Sequence, residues 1–347
     1  RTDKAGHLSD RSTTTPTLCS DFGYAIDQNV ISEVYSQGAF VKTEKREVHN
    51  VSLDNRGDAE TQNIKSYISN DNGLSYDLVT YQELTNRKFD SDHNITNQMI
   101  LTYNIDAATA ETPKTLLDCQ EVRSIGFHSS GVALKQVMAT FTNLSKTTLL
   151  DVKVIENSDI SLQGYVGRST VTRYDGLVNY DGDSGSLVPD ASLTVDEQVI
   201  ETLSFDLRGN ALEQEIVKKY FDTETNSLVF SEAQKISTDS YDIHNRATAS
   251  YIRSYTDSTF ATFKDEMQRV IYVKYDKFGN VETQTVDTYT SFDIDQAYQV
   301  DHKLIENTYT TPIAQRRGNA DISVVTRSDK AGNLIDRSTT TTTLFSD

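Results

Sequence analysis

The fifteen residues YDKFGNVETQTVDTY, from Tyr275 to Tyr289, contain the pattern that decides the fold. An aromatic residue and Asp276 come before Gly279 and Asn280, and polar residues then alternate with Val or Thr up to a second aromatic residue. An Asp at the start of a turn can accept hydrogen bonds from backbone N–H groups two residues on. Gly supplies the left-handed conformation that closes such a turn. The stretch therefore predicts a strand, a tight turn and a second strand.

The same frame fits six further stretches of the chain. They begin at Leu53, Phe89, Phe127, Ile160, Phe205 and Tyr241, and degenerate copies begin at Thr2 and Ser328. The fifth position is Gly in most copies and His93 or Asn245 in two, and both residue types are enriched at positive φ. The tenth position is often Gln, and the twelfth is aliphatic or Met in all seven full copies. The anchors from Leu53 to Tyr275 are separated by 36, 38, 33, 45, 36 and 34 residues, so the loops are irregular.

A second hairpin is expected in the remainder of each unit. Its turn is predicted at residues 265–268 before Tyr275 and at residues 317–319 before Ser328. The segment NALEQEIVKKY, residues 210–220, has the composition of a helix, and residues 116–122 share that ambiguity. Position in the repeat frame predicts strand for both. Because one hairpin is too short to be stable alone, stability is expected from stacking on neighbouring hairpins.

A much longer repeat joins the two ends of the sequence. Residues 1–21 and 327–347 are identical at 16 of 21 positions, at an offset of 326. The interpretation is that residues 1–326 form one full superrepeat and residues 327–347 the start of the next, with no separate domain boundary. A repeating subunit of a fibre or tube is expected to begin and end at the same phase of the repeat.

The composition argues against several classes of function. The 347 residues include 51 acidic and 33 basic side chains, a formal net charge of −18. Phosphate backbones are bound by clustered Lys and Arg, so a nucleic-acid partner is not expected. No apolar stretch approaches the roughly 20 residues that a membrane-spanning helix needs, so membrane insertion is not expected.

The hexapeptides Tyr275–Asn280, YDKFGN, and Phe205–Asn210, FDLRGN, resemble the signature of the YD-repeat family of Rhs and teneurin type, also seen in insecticidal toxin-complex shells. The resemblance spreads over most of the chain. In that family the repeats form a spiralling β-sheet that closes into a hollow shell, so the resemblance implies a curled antiparallel sheet here. The DPxGxxG protease-like segment of the toxin members is missing from this sequence. The superrepeat suggests open-ended propagation rather than a closed capsule.

One short segment resembles an enzyme motif. Gly182-Asp183-Ser184-Gly185-Ser186 is similar to the nucleophile loop of trypsin-like serine proteases, where Ser184 would attack a carbonyl with a His as base. None of the His residues upstream has the sequence context of such a base: His7, His49, His93 and His128. Residues 174–190 instead have the Asp and Gly content of a loop between hairpins. The interpretation is that the chain is not an enzyme and has no catalytic residues.

Two acidic clusters are candidates for Ca²⁺, which takes six to eight oxygen ligands. They are Asp181, Asp183 and Asp190, and Asp90, Asp92 and Asn94. The second resembles the start of an EF-hand loop, but Ile95 stands where Gly is needed and Leu101 where the bidentate Glu is needed. Asp90 also has a structural role in the repeat turn. No cofactor or metal site is therefore predicted, and Ca²⁺ remains the candidate ion.

The two cysteines are predicted to be buried apolar residues rather than a disulfide. Cys19 is replaced by Phe345 one period later, which a bridge required by the architecture would not tolerate. Cys119 has no counterpart in the duplicated ends.

Together these patterns predict an all-β fold of tandem antiparallel β-hairpins, in a continuous curled sheet that forms a hollow tube or shell wall. The expected function is structural: a non-catalytic section of a giant repeat protein in an extracellular filament or tube, with adjacent superrepeats as its partner. Two alternatives remain open. One is an Rhs-like shell that encloses a toxin or other cargo, and the other is a β-propeller array for binding or adhesion, whose blades would have about 40 residues.

Overall fold

The computed structural model of the protein describes residues 9–105, 115–181 and 185–342. These residues form antiparallel strands joined by short turns, which confirms the predicted all-β hairpin fold. The chain divides into two compact units, the first ending at Asp196 and the second beginning at Glu197. Closure into a hollow tube or shell wall stays a prediction.

In the first unit, each strand pairs with the next one along the chain, from β1 to β10. An additional hairpin, β11 and β12, follows β10. The strands are β1 Asp10–Cys19, β2 Ala25–Ser36, β3 Ala39–Leu53, β4 Ala59–Ile68, β5 Asp77–Phe89, β6 Ile95–Tyr103, β7 Leu116–Phe127, β8 Ala133–Phe141, β9 Leu149–Ile160, β10 Val166–Tyr174, β11 Leu177–Asp181 and β12 Ser186–Pro189.

The second unit continues the same pattern of consecutive pairing from β14 to β21. Strand β13, Thr194–Phe205, includes the boundary between the units. The remaining elements are β14 Ala211–Asp222, β15 Ser227–Tyr241, β16 Ala247–Tyr255, β17 Phe263–Tyr275, β18 Val281–Tyr289, β19 Gln299–Thr308, the short helix α1 Pro312–Arg317, β20 Ile322–Ser328 and β21 Leu334–Thr341. Three-residue 3₁₀ turns lie at Ala191–Leu193 and Gln296–Tyr298.

Uninterrupted pairing is inconsistent with the β-propeller alternative. A propeller blade is a separate sheet of four strands, whereas the ten strands β1 to β10 of the first unit form one ladder. In the part of the chain that the structure describes, no helix has the length and apolar character needed to cross a membrane.

Both segments with helix-like composition are strands. Residues 210–220 lie almost entirely in β14, which pairs with β15 along ten positions from Glu213 to Asp222. Residues 116–122 lie in β7, between β6 and β8. Backbone hydrogen bonds to the strands on both sides outweigh the helix propensities of these residues, which differ between residue types by roughly 0.7 kcal/mol or less per residue.

The turns predicted for the second hairpin of each unit, which we call the accessory turns, are at the wrong positions. Residues 265–268 lie inside β17, and the turn before it is formed around Asp257, whose carboxylate accepts the N–H groups of Thr259, Ala261 and Thr262 at 2.9, 3.1 and 2.7 Å. An Asp that closes a loop with three such bonds determines where the chain reverses.

Residues 317–319 are the end of α1 rather than a hairpin turn. Thr311 caps the start of this helix by accepting the N–H of Ala314 at 3.2 Å, and Pro312 follows at the first helical position. Gly318 ends the helix with a φ of 72°. The Thr-Pro pair is a helix-start signal that favours a helix here over a hairpin turn.

The core of the first unit lies on one face of its sheet. Cross-strand pairs such as Cys119 with Phe141 and Ala139 with Val152 bring these residues together on that face. We call this set the apolar cluster, and its buried members are Tyr81, Leu101, Tyr103, Cys119, Val137, Ala139, Phe141, Val152, Val154 and Leu187. Leu187 comes from β12, so the additional hairpin lies over this face.

Candidate functional site

The repeat turn has the geometry that its residues predict. Asp276 accepts the N–H groups of Phe278 and Asn280, both at 2.8 Å, and Gly279 has a φ of 90°. The same pair of bonds reaches the carboxylates of Asp54, Asp90, Asp206, Asp242 and Asp329. The two exceptions to Gly, His93 and Asn245, have φ values of 64° and 60°. The turns are therefore built by local chemistry.

Gly57 is required for a second reason, since Tyr24 of the preceding turn packs on it. A Cβ added at Gly57 would lie 2.6 Å from two ring atoms of Tyr24, whereas one added at Gly23 would meet nothing within 4 Å. Both glycines have a positive φ, 87° and 83°. We expect Gly23→Ala to lower the free energy of unfolding by about 1–2 kcal/mol through backbone strain. Gly57→Ala should cost about 1 kcal/mol more through overpacking. Urea denaturation of both variants tests this, and equal losses would contradict the packing role of Tyr24.

Tyrosines tie successive hairpins of the second unit together. The first aromatic residue of one repeat donates its hydroxyl hydrogen bond to the carbonyl of the seventh residue of the repeat before it. The pairs are Tyr241 with Ala211 at 2.5 Å, Tyr275 with Ala247 at 2.7 Å and Tyr309 with Val281 at 3.3 Å. We call these bonds the tyrosine clasps. They explain why Tyr suits the first position, because Phe could fill the space but not make the bond.

Arginines make a second connection between consecutive turns. Arg208 Nη1 donates to the carbonyl of Asp242 at 2.8 Å in the second unit, and Arg56 Nη1 donates to the carbonyl of Asp90 at 2.8 Å in the first. Both arginines occupy the fourth position of their repeat. Each accepting Asp is the second residue of the next repeat.

The tenth position, often Gln, bonds across its own hairpin. The amides of Gln62, Gln136 and Gln214 donate to a polar side chain twelve residues earlier, at 2.7, 3.1 and 3.2 Å. The partners are Asn50, Ser124 and Thr202. The recurring spacing within the repeat therefore corresponds to a cross-strand pair, which contributes to sheet stability.

Turn carboxylates make the fold sensitive to acid. Hydrogen bonds from backbone N–H groups, above all that of Asp58, lower the pKa of Asp54. The hydrogen bond from the Ser75 hydroxyl is the main cause that lowers the pKa of Asp71 to about 2. The pKa is also lowered at Asp90, Asp242, Asp257 and Asp329.

A carboxylate whose pKa is lowered by folding stabilises the fold at any pH above about 4, which is its pKa in the unfolded chain. This stabilisation is lost as the pH falls through the pKa of the folded state. We therefore expect the urea midpoint to be level between pH 7 and 5 and to fall between about pH 4 and 2. An Asp71→Asn variant should show a smaller fall over that range. A midpoint that rises as pH drops below 4 would contradict this role of the turns.

A buried ionic cluster lies beside the apolar cluster. The Glu121 carboxylate is fully buried, and it accepts hydrogen bonds from Lys146 Nζ at 2.5 Å, Tyr180 Oη at 2.6 Å and Arg123 Nη1 at 2.9 Å. Tyr180 also contacts the Lys146 ammonium, and Arg123 Nε donates to the carbonyl of Gly185 at 2.8 Å. We call Glu121, Arg123, Lys146 and Tyr180 the Glu121 cluster. Two of its contacts, Tyr180 and Gly185, belong to the β11–β12 hairpin, so the cluster fastens that hairpin to the sheet.

The Lys146 ammonium is stabilised in its charged form within the cluster. Burial disfavours the charged Lys146 ammonium, but the hydrogen bonds that it donates to Glu121 and Tyr180 outweigh this effect and raise the pKa of Lys146. Burial is also the main cause that raises the pKa of the Tyr180 hydroxyl. Charged partners that satisfy one another in this way hold a segment in place.

A polar cleft of about 510 Å³ lies on the sheet of the first unit. Charged side chains that line it bond one another or adjacent residues: His49 Nδ1 lies 2.6 Å from Asp27 Oδ1, and Glu47 accepts from Lys45 at 2.6 Å and from Tyr67 at 2.7 Å. Asp27 and His49 are cross-strand partners between β2 and β3, Glu47 and Tyr67 connect β3 to β4, and Lys45 and Glu47 lie on the same strand.

The protease-like segment lies mostly outside the described residues, since residues 182–184 include Ser184 and Asp183. Gly185 and Ser186 are described, and both belong to the β11–β12 hairpin. The segment predicted to be a plain loop between hairpins thus contains a hairpin of its own that covers the apolar cluster.

The residues proposed for Ca²⁺ have separate structural positions. Asp90 accepts bonds from the N–H groups of Asp92 and Asn94, both at 2.9 Å, within its repeat turn. Asp190 caps a 3₁₀ turn by accepting the N–H of Ser192 at 2.9 Å. Asp181 ends β11, and Asp183 lies outside the described residues. Among the described residues, no three His, Cys, Asp or Glu side chains are grouped as metal ligands.

The two cysteines are unbridged, but only one is buried. Cys119 is fully buried in the apolar cluster, and burial is the main cause that raises its pKa to about 11. The prediction of burial is wrong for Cys19, which is exposed at the end of β1. Cys19 is the last residue of β1 and pairs with Ala25 next to the turn, whereas Cys119 lies within β7 between β6 and β8.

The sequence frame misses two units of the repeat. One begins at Cys19, where the turn is held by Ser20, whose hydroxyl accepts the N–H of Tyr24 at 3.1 Å, and Gly23 has a φ of 83°. Its signal was Gly23, Ala25, Gln28 and Val30 at positions five, seven, ten and twelve. The other begins at Tyr309, which makes a tyrosine clasp although α1 replaces its turn.

No family model and no curated protein sequence matches the chain. One solved structure that aligns with it is the crystal structure of TcdB2-TccC3-TEV, with 9% sequence identity and a TM-score of 0.18. The alignment covers 96% of this chain and 23% of the other, so this chain spans about a quarter of that protein's length. At this TM-score the likeness carries no argument about the function of the chain.

Proposed function

We propose that the chain is a structural, non-catalytic section of a wall built from β-hairpin repeats, and that these are repeats of the YD type. The tyrosine clasps support this most directly. Three consecutive repeats of the second unit use the same position to donate the same bond to the preceding repeat. Such a contact joins neighbouring repeats without presenting a reactive group, which suits a structural role.

The mechanism is mechanical. Backbone ladders join every strand to its neighbours within each unit, and the clasps and arginine bonds join the turns that lie at the ends of those strands. Bending the wall at a turn would therefore require several bonds to break together. The formal charge of −18 makes neighbouring walls repel each other, which limits lateral association.

We further propose that adjacent superrepeats assemble into an extracellular filament or tube. The duplicated ends support this, because the same residues are found at both ends of a 326-residue period. Electron microscopy of the purified protein tests the proposal. Filaments or tubes are expected, closed hollow particles would favour a shell around cargo instead, and solid isolated particles would contradict both.

The tyrosine clasps can be tested separately. Tyr241→Phe and Tyr275→Phe each remove one hydroxyl bond and keep the ring, so each should lower the free energy of unfolding by about 1 kcal/mol. The double variant should lose the sum of the two. Tyr220→Phe is the control, because Tyr220 is half exposed and makes no hydrogen bond among the described residues. Losses in the control as large as those in the clasp variants would contradict the role of the clasps.

A further inference from the structure

One dipeptide of the chain has the chemistry to modify itself. Asn72 is followed by Gly73 in the turn between β4 and β5, and no other Asn in the 347-residue sequence precedes a Gly. Because Gly has no Cβ, its backbone nitrogen can approach the side-chain amide of the Asn before it closely. Asn is also among the thermolabile residue types. The pair is therefore a candidate site for hydrolysis of the Asn72 side-chain amide.

The reaction has two steps, and water is its co-reactant. The Gly73 nitrogen gives its proton to solvent and bonds to Asn72 Cγ, while the side-chain nitrogen takes up a proton and leaves as ammonia. The product of this step is a succinimide ring. Water then adds to one of the two ring carbonyls and breaks its bond to the ring nitrogen. Depending on the carbonyl, residue 72 becomes Asp or isoaspartate, whose main chain runs through Cβ and is longer by that atom.

The closed turn restrains both reacting groups. The Gly73 N–H donates to Ser69 Oγ at 2.8 Å, so the attacking nitrogen is directed toward Ser69. Asn72 Oδ1 accepts the backbone N–H of Lys42 at 2.9 Å, so the amide that must be attacked is directed toward β3. The ring cannot form while the first bond exists, because the nitrogen must give up that proton. The second bond restrains the amide from turning toward Gly73.

Ser69 is itself held firmly in place. It is 1% exposed, and its N–H donates to the carbonyl of Thr43 on β3 at 2.9 Å. Its hydroxyl donates to Asp71 Oδ1 at 2.8 Å, which leaves the oxygen free to accept the Gly73 N–H. The acceptor that restrains the attacking nitrogen is therefore fixed from two sides.

Gly73 packs closely on its surroundings, whereas Asn72 is open to solvent. A Cβ added at Gly73 would lie 2.8 Å from Lys42 Cδ and from Tyr76 Oη. Asn72 is exposed. The strands β3, β4 and β5 each pair with a neighbour on both sides, so the turn belongs to the interior of the ladder. Water therefore reaches Asn72 in the folded chain, and hydrogen bonds rather than burial protect it.

We propose that Asn72-Gly73 is a self-modification site that the closed turn protects, and that opening of the turn converts Asn72 to isoaspartate and Asp. The added main-chain atom of isoaspartate displaces Gly73 relative to Lys42, so the turn cannot close again with both protecting bonds. Opening thereby becomes irreversible and leaves a chemical mark on the wall. The inference concerns this turn alone, and it holds whether or not the chain forms filaments.

Conversion rates in the folded and the unfolded chain test the protection. The full chain is incubated in mildly alkaline buffer, with and without enough guanidinium chloride to unfold it. Mass spectrometry of the peptide that contains Asn72 follows the replacement of NH2 by OH, and chromatography separates isoaspartate from Asp. Conversion should be at least about tenfold slower in the folded chain, because the turn must first open locally. Equal rates, or no conversion in the unfolded chain, would overturn the proposal.

Ser69→Ala tests the restraint on the nitrogen. It removes the acceptor of the Gly73 N–H, so conversion should become several-fold faster in the folded chain and stay unchanged in the unfolded chain. Ser75→Ala is the matched control in the same turn. The Ser75 hydroxyl donates to Asp71 Oδ2 at 2.5 Å and makes no hydrogen bond to Asn72 or Gly73, so this variant should convert at nearly the original rate. Equal acceleration in both variants would overturn the role of Ser69.

Two further measurements complete the test. The guanidinium midpoint of each variant is determined, and conversion rates that simply follow the midpoints would assign the reaction to global unfolding and overturn the role of the turn. Hydrogen exchange of the Lys42 amide is then compared between the purified isoaspartate form and the unmodified chain. Faster exchange is expected in the isoaspartate form, because the bond to Asn72 Oδ1 is lost. Equal protection would overturn the irreversible opening.

Discussion

Glu121→Gln is expected to lower the free energy of unfolding by about 3–5 kcal/mol, because it removes the anion that pairs with the buried Arg123 and the partly buried Lys146. The Glu121 carboxylate is fully buried between Arg123 and Lys146, at 2.9 and 2.5 Å. Gln has nearly the same size, so the loss would come from charge and not from a cavity. Guanidinium denaturation measures it.

A matched pair of variants isolates that electrostatic cause. Lys146→Met in the Glu121→Gln background should restore part of the stability, because it removes one unpaired cation. Lys135→Met is the surface control. Lys135 and Glu156 form an exposed ion pair at 2.8 Å, which contributes less than about 1 kcal/mol. A double variant no more stable than Glu121→Gln would show that packing, not charge, explains the loss.

Phe141→Ala is expected to lower the free energy of unfolding by about 3–5 kcal/mol through lost apolar contact and a residual cavity. Phe141 is 3% exposed in the apolar cluster, with its ring centroid 6.0 Å from that of Tyr180. Because Tyr180 belongs to β11, the variant should also loosen the β11–β12 hairpin. Limited proteolysis should then cleave faster within residues 177–189.

Phe22→Ala is the control for this substitution. Phe22 is 87% exposed in the turn before β2, so its removal should change the free energy of unfolding by no more than about 0.5 kcal/mol. Comparable losses for Phe22 and Phe141, or a hairpin whose cleavage rate is unchanged by Phe141→Ala, would contradict the proposed packing of the hairpin on the apolar cluster.

Parts of the fold that depend on neighbours in sequence could be predicted. The Asp-x-x-Gly turns follow from bonds over two to four residues, and the frame correctly assigned residues 210–220 to a strand against their helix propensity. The accessory turns were misplaced because Asp257 and Thr311 act through ordinary polar side chains outside the repeat frame. The unit at Cys19 was missed because Ser20 replaces the turn Asp and no aromatic residue precedes it.

By itself, the sequence determined the hairpin architecture, the positions of the repeat turns and the 326-residue period, because each of these is written in residue types at fixed short spacings or in direct identity. Only the tertiary structure decided which residues form the Glu121 cluster, since its members lie up to 59 residues apart and follow no period. It also decided that residues 174–190 contain a covering hairpin and that Cys19 is exposed while Cys119 is buried. Burial and charge pairing depend on which strands become neighbours and on what lies over them, and no local pattern carries that information.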